Sequence, residues 1–146
     1  MATVNIYLTF KGNCEEAFNF YKSIFGGEFR YIGRFKDMPK EEYKKVVDTE
    51  EGNKIMHVSL PISKETMLMG SDTGSGEWAS SFLQGNNFTI SVNTDIKEEA
   101  DKLFSGLSVG GQVTMPIDKT FWSSYFGMLT DKFGINWMVS LNEQPQ

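Results

Sequence analysis

Apolar residues alternate at Ile6, Leu8 and Phe10, and again at Phe88, Ile90 and Val92. Alternation of this kind marks a half-buried strand. After each run the spacing changes to that of a helix with one apolar stripe. Cys14, Ala17, Phe18, Tyr21, Ile24 and Phe25 form the first stripe; Ile96, Ala100, Leu103, Phe104 and Leu107 form the second. Asn13 followed by Glu16, and Asp95 followed by Glu98, predict side-chain caps at the two helix starts. Gly26-Gly27 and Gly110-Gly111 predict the two helix ends.

The order of strand, cap, helix and glycine pair thus occurs twice, and further strand-like runs follow each copy. In the first half these are 28–35, 54–60 and 66–70, with a short polar helix expected after Met38-Pro39. In the second half they are 111–115, 121–130 and 135–141, the last two joined by a turn at Asp131-Lys132-Phe133-Gly134. A Gly-, Ser- and Asn-rich stretch separates the halves. The expectation is an α+β fold of two tandem βαβββ modules forming a curved mixed sheet with helices outside. Module one covers about 3–71, the linker about 72–86 and module two about 87–142.

Composition narrows the function classes. The 146 residues suffice for a single packed domain, and an aromatic content of 14% argues against disorder. A net charge of −5, with no Lys/Arg run beyond two residues, excludes a nucleic-acid footprint. One cysteine, Cys14, forms no internal disulfide and suits a reducing compartment. With one histidine, His57, a structural Cys/His zinc site is excluded. No apolar run is long enough for a membrane span, and no signal-peptide pattern opens the chain, so a cytoplasmic protein is expected.

Several motifs then carry a resemblance. They are Tyr7-Leu8-Thr9-Phe10-x-Gly12-Asn13-Cys14-x-x-Ala17 with Phe20-Tyr21, then Met38-Pro39, then His57-Val58-x-Leu60. The most specific are Phe121-Trp122, Phe126-Gly127, Thr130-Asp131-Lys132-Phe133-Gly134 and Trp137-Met138. Together they resemble the PhnB-like branch of the vicinal oxygen chelate (glyoxalase/bleomycin resistance/dioxygenase) superfamily. A methyltransferase label often given to this branch finds no support in the residues. The glycine pairs close helices, whereas a nucleotide-binding turn opens one.

The resemblance implies where a divalent ion would be held in metal-binding relatives. Those positions fall at Asn5 or Tyr7, Met67 or Met69, Asn87 or Thr89, and Met138. None is a histidine or carboxylate, so no metal and no cofactor is expected. The residues Tyr7, His57, Met69, Trp122, Phe126, Trp137 and Met138 are soft, aromatic or weakly polar. They read either as a pocket for a small organic ligand in an inter-sheet cavity or as ordinary sheet packing. His57 is the one candidate general acid or base, or else a structural histidine. Cys14 reads as a packing residue, and the charge run at Glu41-Glu42-Tyr43-Lys44-Lys45 as a solvated face. A second reading is a metal-dependent lyase, isomerase or dioxygenase with Asp118, Asp131 and His57 as a displaced ligand set. A homodimer is implied by the resemblance.

Overall fold

The computed structural model describes residues 2–38, 50–74 and 77–142, in two compact units, Met1–Leu83 and Gln84–Gln146. The helix expected after Pro39 and the charge run at 41–45 lie outside the described residues. The first unit contains β1 (Ile6–Phe10), α1 (Cys14–Phe25), β2 (Tyr31–Arg34), a 3₁₀ turn (Phe35–Asp37), α2 (Glu50–Asn53), β3 (Ile55–Pro61), β4 (Met67–Asp72) and α3 (Glu77–Ser80). The second contains β5 (Ile90–Thr94), α4 (Lys97–Ser108), β6 (Gln112–Asp118), β7 (Phe126–Thr130) and β8 (Asn136–Leu141).

Each unit forms one four-stranded mixed sheet, ordered β1-β4-β3-β2 in the first and β5-β8-β7-β6 in the second. The two orders are identical, element for element. Within each, the first strand pairs parallel with the last, and every other pairing is antiparallel. The duplicated pattern in the sequence is therefore a duplicated topology.

One long helix covers one face of each sheet. Leu8, Phe10, Val58, Leu60 and Leu68 are buried on the side where α1 contributes Cys14, Ala17, Phe18 and Tyr21. Helix and sheet meet closely at Gly70, where a Cβ would stand 2.7 Å from both the Leu8 carbonyl oxygen and the Phe18 ring. In the second unit Ile90, Leu129, Trp137 and Val139 are buried with Ala100, Leu103, Phe104 and Leu107 of α4.

Local readings differ from the structure in instructive places. Asn13 makes no side-chain cap. The cap comes from Asp72, whose Oδ1 accepts the N–H groups of Gly12 (2.9 Å) and Cys14 (3.0 Å), while Oδ2 accepts that of Ile55 (2.9 Å). Asp95 is likewise not a cap; α4 starts after an extended, exposed Ile96, and Asp95 accepts a bond from the Asn142 amide. Phe88 lies outside β5 and is half-exposed. Residues 121–125, expected in a strand, form a loop tied by hydrogen bonds among Thr120, Ser123 and Tyr125. A bulge pairs Gly33 with His57 but Arg34 with Ile55, skipping Met56. That extra residue turns Ile55 to the helix side with Arg34, away from His57, whereas strict alternation puts Ile55 and His57 together. Arg34 there donates to both carboxylate oxygens of Glu15 on α1.

Asp72→Ala is expected to cost about 3–5 kcal/mol in urea unfolding, since buried N–H groups lose a charged acceptor. Asn13→Ala should stay within about 0.5 kcal/mol, as an exchange that removes no cap. Equal costs for the two substitutions would contradict this assignment of the cap.

Candidate functional site

The pleat of each sheet leaves one face turned away from its long helix. On that face of the first sheet, register aligns Tyr7, Met69, Ser59 and Tyr31 in one row across β1, β4, β3 and β2. His57 projects from the same side of β3, opposite Gly33. The Tyr7 hydroxyl and His57 Nδ1 share a hydrogen bond at 3.3 Å. In the neutral tautomer protonated at Nε2, the phenol donates this bond. The Tyr7 and His57 rings stack with centroids 5.6 Å apart and 25° between planes. Tyr31 closes on the other side at 5.9 Å and 37°.

Gly33 makes this arrangement fit. A Cβ there would meet two Tyr31 ring carbons at 2.9 Å, so the missing side chain is the seat of the Tyr31 ring. The two tyrosines stay open to solvent, Tyr7 at 47% and Tyr31 at 49% exposure. Tyr31 was not among the residues singled out from the sequence. Its signal is the register that sets Tyr31 beside Ser59 and Gly33 beside His57, which no local pattern reports.

The corresponding face of the second sheet is different in chemistry. Its matching row is Ser91, Met138, Met128 and Met115. Phe126 lies on the same face, opposite Ser140, and its ring meets that of Trp122 edge-on at 5.7 Å. Trp122 in turn packs edge-on against Phe121 at 4.7 Å. Trp122 is 50% exposed and Phe121 97% exposed. Trp137, expected to offer a stacking face to a ligand, is instead fully buried on the helix side. Its indole N–H donates to Asp131 Oδ2 at 2.8 Å, which makes it a core residue of the hairpin. The structure thus gathers Tyr7, His57 and Met69 on one face of the first unit, and Trp122, Phe126 and Met138 on one face of the second.

The positions where relatives hold an ion do not suit one here. Asn5 spends its Oδ1 on the backbone N–H of Met67 at 3.1 Å. Tyr7 is engaged with His57, and Met67, Met69 and Met138 offer thioethers. Hard divalent ions bind carboxylate oxygen or imidazole, and thioether and amide groups supply no charge to offset dehydration. Among the described residues no three His, Cys, Asp or Glu side chains come together as a metal cluster. The displaced set fares no better. Asp131 Oδ1 accepts the N–H groups of Phe133 and Ile135, and Oδ2 accepts the Trp137 indole. Asp118 Oδ1 accepts the N–H of Lys119.

Cys14 is fully buried at the start of α1. Burial first, and then the carboxylates of Asp72 and Glu15, push its thiol well above the ordinary range, the opposite of an activated nucleophile. A cleft of about 280 Å³ also lies at the start of α1, lined by Gly12, Glu15, Glu50, Asn53, Lys54 and Asp72. Of its three carboxylates, Asp72 and Glu15 already serve the helix cap and Arg34. Among the described residues no helix is long and apolar enough to cross a membrane.

Comparison with known proteins agrees with this architecture. Residues 2–140 match the family model described as 3-demethylubiquinone-9 3-methyltransferase. The chain is 38% identical to protein PA1353 from Pseudomonas aeruginosa, with a TM-score of 0.82 over 99% of this chain and all of that one. It is 31% identical to protein YjdN of Escherichia coli over 94% of both chains. A PhnB protein from Bacillus cereus superposes with a TM-score of 0.74 at 25% identity, over 97% of this chain and all of that one.

Proposed function

The chain belongs to the family described as 3-demethylubiquinone-9 3-methyltransferase, and from that premise we propose a cytoplasmic, PhnB-like member of the glyoxalase/bleomycin resistance/dioxygenase superfamily that binds a small organic molecule without the superfamily metal. The observation that carries this reading is the cluster of Tyr7, His57 and Tyr31 on the helix-free face of the first sheet. Exposed rings at sheet positions lose apolar hydration when a flat molecule covers them, and Met69 beside them adapts to irregular shapes. Tyr7 and His57 supply the polar contacts that orient a ligand, through the phenol and the imidazole nitrogen that Tyr7 does not engage. On the second sheet Trp122, Phe126 and Met138 offer a comparable apolar surface.

We infer a homodimer as well. Val113, Phe121 and Trp122 leave large apolar groups in water on the second unit, which a second copy would cover.

A thermal-shift screen of small organic compounds tests the binding reading. A ligand at about ten times its Kd should raise Tm by about 5 °C. The rise should disappear in Tyr7→Ala and His57→Ala. A screen that moves nothing, or shifts unchanged in both variants, would overturn the proposal. For the dimer, light scattering should give twice the mass of one chain; a mass of one chain removes it.

A further inference from the structure

Among the described residues of strands β1 to β4, none presents a permanently charged side chain on the face that carries His57. Strand β1 contains none, and Arg34 on β2 is turned to the helix side, where it holds Glu15. On β3 the only titratable side chain is His57 itself. On β4 the one carboxylate, Asp72, is buried on the helix side as the cap of α1. What remains toward the open face is Tyr7, Thr9, Tyr31, Ser59, Met67, Met69 and Ser71 around His57. Hydroxyls, thioethers and aromatic rings all present electron density, and no Lys or Arg of these four strands offsets it on this face.

Resting on the binding reading above, we propose that this face takes an aromatic cation, a flat ring bearing an ammonium or pyridinium-type charge, and turns away carboxylates and phosphates. An oxyanion needs a guanidinium, an ammonium or a row of free backbone N–H groups to replace its water. The N–H groups at the start of α1 that Asp72 accepts are already spent on the opposite side of the sheet. A cation, by contrast, gains from the faces of Tyr7 and Tyr31, which remain half-exposed. Methionine sulfur and the hydroxyls of Thr9 and Ser71 add acceptors. The net charge of −5 favours the approach of a cation over that of an anion. Gly33 is a positioning residue for this selection, because it lets the Tyr31 ring lie against His57.

The test uses the full chain, three probes that share a naphthalene ring, and NMR signals of the Met67 and Met69 methyl groups and the His57 ring. The probes are 1-naphthylmethylammonium, 1-naphthalenemethanol and 1-naphthoate at pH 7.5. The ammonium should bind about tenfold more tightly than the naphthoate, with shifts at Met69 and His57. Tyr31→Leu and Gly33→Val should weaken the ammonium about fivefold and the alcohol less than twofold, while Tyr31→Phe keeps the preference. If naphthoate or the alcohol binds at the same signals as tightly as the ammonium, cation selection is overturned and the binding reading survives. If none of the three moves Met69 or His57, both fall.

Discussion

A buried carboxylate holds each half of this protein together. Asp72 ends β4, yet it satisfies N–H groups at the start of α1 and at the start of β3, so one side chain ties three separate chain segments. Burying a charge is costly unless hydrogen bonds replace its water, and here the backbone provides them. In the second unit Asp131 acts locally, within the β7–β8 hairpin, accepting two backbone N–H groups and the Trp137 indole. The charged groups of the first sheet's strands, Arg34 and Asp72, lie on the helix side. The opposite face is left to tyrosine, histidine, serine and methionine.

Much of the architecture is legible along the chain because it depends on local period. The strands at Ile6–Phe10 and Ile90–Thr94, both long helices and the duplicated order all follow from spacing of apolar residues. The caps were not legible. Asn13 has the right chemistry in the right place, but Asp72, which lies close only after β4 pairs with β1, reaches the same N–H groups with a full charge. The bulge at Met56 is similarly invisible, since alternation alone groups Ile55 with His57. Phe121 and Trp122 look like strand residues by propensity, and the Thr120–Ser123 hydrogen bonds override it. Tyr7, His57 and Met69 were found by their chemistry. Tyr31 and Gly33 needed the β2–β3 register, and Trp137 looked like a ligand-stacking residue until its indole was seen to bond Asp131.

The family description names a methyl transfer, and among the described residues no glycine-opened cofactor turn leads from a strand into a helix; Gly26, at φ 81°, ends α1. The superfamily's ion is a second expectation that the residues do not meet. The donors at its implied positions are an amide committed to backbone or a phenol bonded to imidazole, three thioethers, and the amide of Asn87 or the hydroxyl of Thr89. The second mismatch originates in a sheet face made of soft, uncharged groups.

Elemental analysis of protein purified without chelator and then dialysed examines that conclusion most directly. Mg, Mn, Fe, Ni and Zn should each lie far below one equivalent per chain, with His57→Ala unchanged in content. One equivalent of any of them, lost on replacing His57 or Tyr7, would contradict it.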